Sequence, residues 1–283
     1  MGQAKSKQRA AFSPAQIHCW EETDCVNFAV ALARMTGWLL HVDWWSTSTQ
    51  HREDIPIEEL RPLRVYVADN HDRVFDVRGI KTIMEFNESV IRRKAQQAYP
   101  GNGCVYTRYY AEDRLASLPL RVQPDPLLIS LAADAVRGNV LYLAAIPARM
   151  MPCIPAHQAA RYSYGACAAF AEAMREVYGL RATALLATRF SPMFEGTKRG
   201  KSGYFHSVVL HDDGTAEDAW GRGTLESIAA RFGAVEFEVS VEEHLAVLER
   251  FRQTSSEAYG NAFNDAVRLI RSMTETSGAG EGT

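Results

Sequence analysis

Gly165-Ala166-Cys167-Ala168-Ala169-Phe170-Ala171-Glu172-Ala173-Met174-Arg175-Glu176-Val177-Tyr178-Gly179 is the stretch that decides how this chain reads. Cys167, Phe170, Ala171, Met174, Val177 and Tyr178 recur at helical spacing and form one apolar stripe. Glu172, Arg175 and Glu176 fall on the opposite side. The pattern predicts an amphipathic helix that begins at Cys167 and stops at Gly179, a residue suited to a left-handed C-terminal cap. A cysteine at a helix start is placed to ionise, because the unpaired N–H groups and aligned peptide dipoles there favour negative charge.

An earlier stretch repeats the pattern. Cys25-Val26-Asn27-Phe28-Ala29-Val30-Ala31-Leu32 also leads to a glycine, Gly37. The offset between the cysteines is 167 − 25 = 142, and Gly37 and Gly179 keep it. So do Val67 and Val209, Asp76 and Asp218, Gly79 and Gly221, and Thr82 and Thr224. A single offset that holds from a Cys to an Asp points to an internal duplication.

Working outward from the second copy, Arg181 to Phe190 predicts a strand. Tyr204 to Leu210 predicts another, rich in strand formers, and Asp212-Asp213-Gly214 signals a turn into a third strand, Thr215 to Trp220. Thr224 is suited to cap a helix from Leu225 to Phe232 that ends at Gly233. The first copy predicts the same order: a helix over 25–36, strands near 38–45, 63–69 and 73–78, and a helix after Thr82. Between the copies, 98–156 holds an aromatic stretch, Tyr106 to Tyr110, and a helix-like run, Pro126 to Val136. Asn139 to Ile146 reads as a further strand, and no function attaches to this region.

Hairpin geometry tests whether His206 and Asp218 can meet. A three-residue Asp212-Asp213-Gly214 loop with Gly214 left-handed pairs His211 with Thr215. Val208 then lies opposite Asp218, and His206 opposite Trp220. His206 and Asp218 become diagonal neighbours on one face, within reach of each other. A two-residue turn would put them on opposite faces. With the longer loop, Asp218 can orient the His206 ring and His206 can pair with Cys167, while His211 falls at the loop edge on the other face. A cysteine on an Ala-rich helix is more often a small buried hydrophobe, and a strand histidine more often structural. The combination, in this order and on these elements, is what points to chemistry.

At this point the second copy resembles the nucleophile helix of transglutaminase-like and papain-like cysteine hydrolases. The resemblance rests on Gly165-Ala166-Cys167 opening the helix, on Tyr178-Gly179-Leu180 closing it, and on His206 and Asp218 following on successive strands. It covers about 70 residues of the second half, and the first half more faintly. It implies an α+β fold of two tandem papain-like or transglutaminase-like units, each a nucleophile-type helix packed on an antiparallel sheet. It also implies amide chemistry through a thioester, as in peptidases, deamidases and transglutaminases, with a protein or peptide substrate. Many papain-like enzymes carry a Gln shortly before the Cys, where this chain has Arg161-Tyr162-Ser163-Tyr164. Ser163, Tyr164 and Trp220 are therefore candidates for an oxyanion donor or cleft wall.

The first copy departs further. The position matching His206 is Arg64, and a guanidinium stays protonated and cannot act as a general base. Cys25, Arg64 and Asp76 thus read as a degenerate set. The expected domains are a degenerate one over 14–150 and an active one over 151–273, between a flexible N-terminus (1–13) and a disordered tail (274–283).

Bulk properties narrow the classes. The chain has 283 residues and a formal net charge of −3, with no clustered basic run of the kind nucleic-acid binders show. There is no apolar stretch long enough for a membrane helix. Five scattered cysteines, Cys19, Cys25, Cys104, Cys153 and Cys167, do not suggest a disulfide framework, so a reduced, cytoplasmic protein is expected in the producing cell. His18, Cys19 and Cys25 lack a second ligand pair, and neither metal nor cofactor is expected. Met1-Gly2-Gln3-Ala4-Lys5-Ser6 fits the permissive N-myristoylation pattern at Gly2. Two rival readings stand beside the enzyme: a non-catalytic tandem protein-binding module, and a lipid-targeted bacterial effector.

Overall fold

The computed structural model describes residues 12–69, 72–192 and 203–278. Gly2 and 279–283 lie outside these residues. The chain is α+β and divides into two compact units between Pro147 and Ala148. The boundary falls just before 150 because Arg149 belongs to the second unit. Its guanidinium donates to the carbonyls of Trp220, Ala219 and Ile154 at 2.8–2.9 Å and lies over the Trp220 ring.

The first unit opens with α1 (Pro14–Glu21) and α2 (Val26–Thr36). Its strands are β1 (Leu40–Ser46), β2 (Arg61–Ala68), β3 (Arg73–Asp76), β4 (Gly79–Thr82) and, later, β5 (Cys104–Tyr110). Between β4 and β5 run α3 (Ile83–Phe86), a π-helical segment (Asn87–Ile91) and α4 (Arg92–Ala98). Helices α5 (Pro126–Gly138) and α6 (Val140–Leu143) follow, and α5 packs on α2. The second unit contains α7 (Ala156–Ser163), α8 (Cys167–Tyr178), β6 (Arg181–Phe190), β7 (Gly203–Leu210), β8 (Ala216–Asp218), β9 (Gly221–Gly223) and α9 (Leu225–Arg231). It ends with β10 (Ala234–Ser240), α10 (Val241–Thr254) and α11 (Ser256–Gly278), which packs on α8.

Each unit holds one antiparallel five-stranded sheet, ordered β4-β3-β2-β1-β5 and β9-β8-β7-β6-β10. The two orders are the same when the strands are matched in sequence. The registers match as well. Val67 pairs with Phe75 and Asp76 with Gly79, while 142 positions later Val209 pairs with Glu217 and Asp218 with Gly221. Even an irregularity recurs. The β1–β2 register shifts between Arg64 and Pro62, and the β6–β7 register shifts between His206 and Tyr204. The extra residues of these bulges, Leu63 and Phe205, again stand 142 apart. A β-bulge bends its strand and re-aims its side chains, and here it sits beside Arg64 and His206. Both α2 and α8 end on a left-handed glycine, Gly37 (φ 68°) and Gly179 (φ 72°). Thr82 and Thr224 both cap the next helix.

Four local expectations are corrected. Phe12 is not part of a loose end: its ring is buried against Phe28 and Tyr142, at centroid distances of 5.2 and 5.1 Å, and Ser13 caps α1. Residues 274–278 continue α11, because adding a turn to an existing helix costs far less than starting one. Thr274 also bonds the Ile270 carbonyl and the Tyr178 hydroxyl. Asn139 to Ile146 forms no strand, because the Asn139 side chain accepts from Tyr142 N and starts α6. Glu172 does not face solvent: at 7 % exposure it is covered, with His244 of α10 bonded to it.

Candidate functional site

The site begins with a turn. His211 N donates to Thr215 O at 2.9 Å, and Gly214 takes a left-handed φ of 84° that a residue with a Cβ adopts only with strain. This three-residue loop sets Leu210 against Ala216 and Val209 against Glu217, so β7 and β8 have the register expected of the longer loop. His206 and Asp218 consequently meet, with Nε2 of His206 2.7 Å from Oδ2 of Asp218. His211 stays apart at the loop edge, as expected, but it is not solvated as its place there suggested: it is largely covered and pairs with Glu217 at 2.9 Å.

Asp218 is buried yet ionised. Burial alone would raise its pKa, but the charge of Arg231 and the contact with His206 hold it well below the usual carboxylate range. The Arg231 guanidinium pairs with Oδ2, and the Trp220 backbone N–H donates to Oδ1 at 2.8 Å. An ionised Asp218 must accept from His206, so Nε2 carries the ring proton. That leaves Nδ1 as the basic nitrogen, and Nδ1 is buried with no completed hydrogen bond. The ring is also held on its flat face: Phe232 lies against it at a centroid distance of 4.1 Å and 30° between planes.

Cys167 is the first residue of α8, and no side chain caps that helix start. Burial would push its thiol up. The charge of His206, polar contacts from His206 and the Tyr204 hydroxyl, and the Ser207 backbone N–H outweigh burial and bring it down to about 7. With Nε2 engaged by Asp218, Nδ1 is the nitrogen left to serve the sulfur. The Tyr204 oxygen stands 3.2 Å from Sγ. Reciprocally, although burial lowers the His206 pKa, the negative sulfur and Asp218 raise it on balance. Such a pair favours thiolate and imidazolium together, which is the state a sulfur nucleophile needs. The group is largely enclosed, with Cys167 6 % exposed and His206 fully buried.

The other sequence candidates serve different ends. The Ser163 hydroxyl donates to Ala159 O at 3.1 Å within its own helix. Tyr164 packs edge-on against Phe232 at 5.3 Å, and so backs the residue that supports His206. Trp220 contributes its backbone N–H to Asp218, while its ring lies under Arg149. Sequence reasoning missed Tyr204, Ser207, Phe232, Arg231, Glu172 and His244. Tyr204 carried a weak signal, standing two residues before His206 on the same strand.

In the first unit the matching residues also come together. Arg64 donates two hydrogen bonds of 2.9 Å to Asp76, as His206 contacts Asp218, and it pairs with Glu21 at 2.7 Å. Cys25 differs from Cys167. It is a left-handed residue (φ 60°) preceding α2, and burial pushes its thiol far up despite the Arg64 charge. Val65 N, the counterpart of Ser207 N, donates to Asp24 O at 3.0 Å. A cavity of about 780 Å³ in this unit is lined by Trp45, Arg92, Tyr99 and Thr107, among others, and by none of Cys25, Arg64 and Asp76.

Among the described residues no group of His, Cys, Asp or Glu is arranged to hold a metal ion, and no helix is long and apolar enough to cross a membrane. Compared with protein-family models, curated proteins and solved structures, the chain matches none.

Proposed function

We propose that the second unit is a cysteine-dependent acyl hydrolase or transferase acting on amide bonds of a protein or peptide, built as a papain-like or transglutaminase-like unit. The observation that carries this reading is the grouping of a helix-start thiol of lowered pKa with a histidine whose other nitrogen is held by a buried carboxylate. In the proposed reaction the Cys167 thiolate attacks the carbonyl carbon, and the oxygen gains negative charge. The Cys167 N–H and the first turn of α8 are placed to stabilise that charge. The carbon–nitrogen bond then breaks, and the His206 imidazolium gives its proton to the leaving nitrogen. Water or an amine, deprotonated by His206, attacks the thioester and releases the thiolate. Deamidation, peptide cleavage and transamidation share these steps.

The first unit is read as the non-catalytic copy, because Arg64 fills the position of the base with a permanent cation. The five unpaired cysteines support placing this chemistry in the reducing cytoplasm of the producing cell.

The test is iodoacetamide alkylation followed at Cys167 and Cys25 by peptide mass spectrometry across pH. Cys167 is expected to react with a midpoint near 7, and that midpoint is expected to move to about 8.5 or higher in His206→Ala. Cys25 in the same sample is expected to react at least about 100-fold more slowly at pH 7. An unreactive Cys167, or one indifferent to His206, defeats the enzyme reading and favours a tandem binding module.

A further inference from the structure

A second polar chain also reaches the sulfur. The Tyr204 hydroxyl contacts Cys167 Sγ at 3.2 Å and Ser207 Oγ at 3.1 Å. Ser207 Oγ lies 3.0 Å from Nδ1 of His244 on α10, and Nε2 of His244 lies 3.4 Å from Glu172 Oε2 on α8. The other Glu172 oxygen accepts from Arg175 at 2.7 Å. His244 is 1 % exposed and Ser207 equally covered. The proposed reaction uses none of Ser207, His244 and Glu172.

Counting protons gives the chain a direction. Each hydroxyl has one hydrogen. The hydrogen bond to His244, with Arg175, keeps Glu172 ionised, so His244 must present Nε2–H to it. If His244 is neutral, its Nδ1 can only accept, Ser207 must donate to it, and Tyr204 must donate to Ser207. The Tyr204 hydrogen then points away from Cys167. If His244 is an imidazolium, Nε2–H still donates to Glu172 but every bond from Nδ1 to the sulfur reverses: Nδ1–H donates to Ser207, Ser207 donates to Tyr204, and Tyr204 donates to the sulfur. Only this second arrangement gives the thiolate an O–H donor.

We propose that the buried His244–Glu172 pair is a positioning device that orients the Ser207 and Tyr204 hydroxyls, so that Tyr204 donates to the Cys167 thiolate. This rests on the reading of Cys167 as the nucleophile. It adds a second histidine that acts through two hydroxyls and never touches the substrate. The charged and titratable groups nearest this chain are Glu172 and Arg175 from α8, Tyr204 from β7, and Glu243 and Arg250 on the helix of His244. Arg250 pairs with Glu243 and acts on Tyr204, and Tyr259 of α11 acts on Arg175.

The test is the pH profile of Cys167 alkylation in Tyr204→Phe, His244→Phe, His244→Asn and the Tyr204→Phe/His244→Phe double variant, each checked for folding by circular dichroism. Tyr204→Phe and His244→Phe are each expected to raise the Cys167 midpoint by about one pH unit, the scale of one hydrogen bond to a charged group. The double variant is expected to shift no further than Tyr204→Phe, since His244 acts only through Tyr204. In His244→Asn an amide N–H near the Nδ1 position can donate without a charge, so much of the shift is expected to be recovered. A midpoint unchanged in His244→Phe or in Tyr204→Phe, a His244→Asn shift as large as that of His244→Phe, or additive shifts in the double variant, overturns the device while the His206-dependent midpoint survives. A wild-type midpoint near that of a free thiol defeats the nucleophile reading instead.

Discussion

The two units carry the same strand order, the same bulge and the same carboxylate, and they differ at the residue facing it. At Asp218 the partner is a histidine, whose second nitrogen remains free for a thiol. At Asp76 it is Arg64, which donates to Asp76 and to Glu21 and has no lone pair to offer. The cysteines differ in step. Cys167 begins a helix after the left-handed Gly165, and Ser207 N–H serves its sulfur. Cys25 is itself left-handed, as is Asp24 before it, and Val65 N–H is spent on a carbonyl. The comparison teaches that two units alike to the level of register can surround the same carboxylate with different partners. The setting of the thiol depends on one ring and on how one backbone turn presents the sulfur.

The largest expected effect comes from exchanging the two residues. His206→Arg should reduce Cys167 alkylation at pH 7 by about 15-fold, because a guanidinium turned to Asp218, as Arg64 is to Asp76, cannot take the thiol proton and the midpoint returns from about 7 to about 8.5. Arg64→His should not make Cys25 reactive, because the left-handed turn and the enclosure remain. It should instead cost about 1–3 kcal/mol in urea unfolding, since Glu21 loses its partner and Asp76 keeps at most one of its two hydrogen bonds. Rapid alkylation of Cys25 in Arg64→His would show that the base alone separates the copies.

A smaller change tests the shared carboxylate. Asp218→Asn keeps the shape but no longer demands Nε2–H from His206, and it leaves Arg231 without its anion. The Cys167 midpoint should rise by about one pH unit. An unchanged midpoint would reduce Asp218 to a structural partner, like Asp76.

The smallest effect concerns a residue with no polar counterpart in the second unit. Asp43 matches Leu185 in register and is fully buried. Burial raises its pKa to about 7 against hydrogen bonds from Thr107 and Tyr66 and the charge of Arg64. The folded state therefore holds this proton more tightly than the unfolded chain does. The stability this provides is complete below the ordinary carboxylate pKa and is lost as pH rises through about 7. Asp43→Asn, which stays neutral, should gain about 2–4 °C in Tm over wild type between pH 5 and pH 8. A Tm difference that does not grow with pH would mean that Asp43 is ionised throughout.

Much of this was legible in the chain. Hydrophobic spacing placed α2 and α8, and the constant offset carried from cysteine to capping threonine. The Asp212-Asp213-Gly214 loop specified the register that joins His206 to Asp218, although a two-residue turn had remained open. Local signals were weaker where packing overrode them. The spacing set Glu172 opposite the apolar stripe, but α10 covers that side and supplies His244 as its partner. The run after Asn139 is apolar enough for a strand, yet the asparagine cap decided for a helix.

The sequence by itself determined the constant offset of 142, the helix that bears the thiol and, through the three-residue loop, a register in which histidine can meet carboxylate. These depend on periodicity and turn chemistry, which act over a few residues. Only the tertiary structure decided what surrounds them: Phe232 under the ring, Arg231 on the carboxylate, and the chain from Cys167 through Tyr204 and Ser207 to His244 and Glu172. These contacts join elements distant in sequence, and they exist because the packing of helices on the sheet brings their buried polar groups within hydrogen-bonding distance, where each must find a partner.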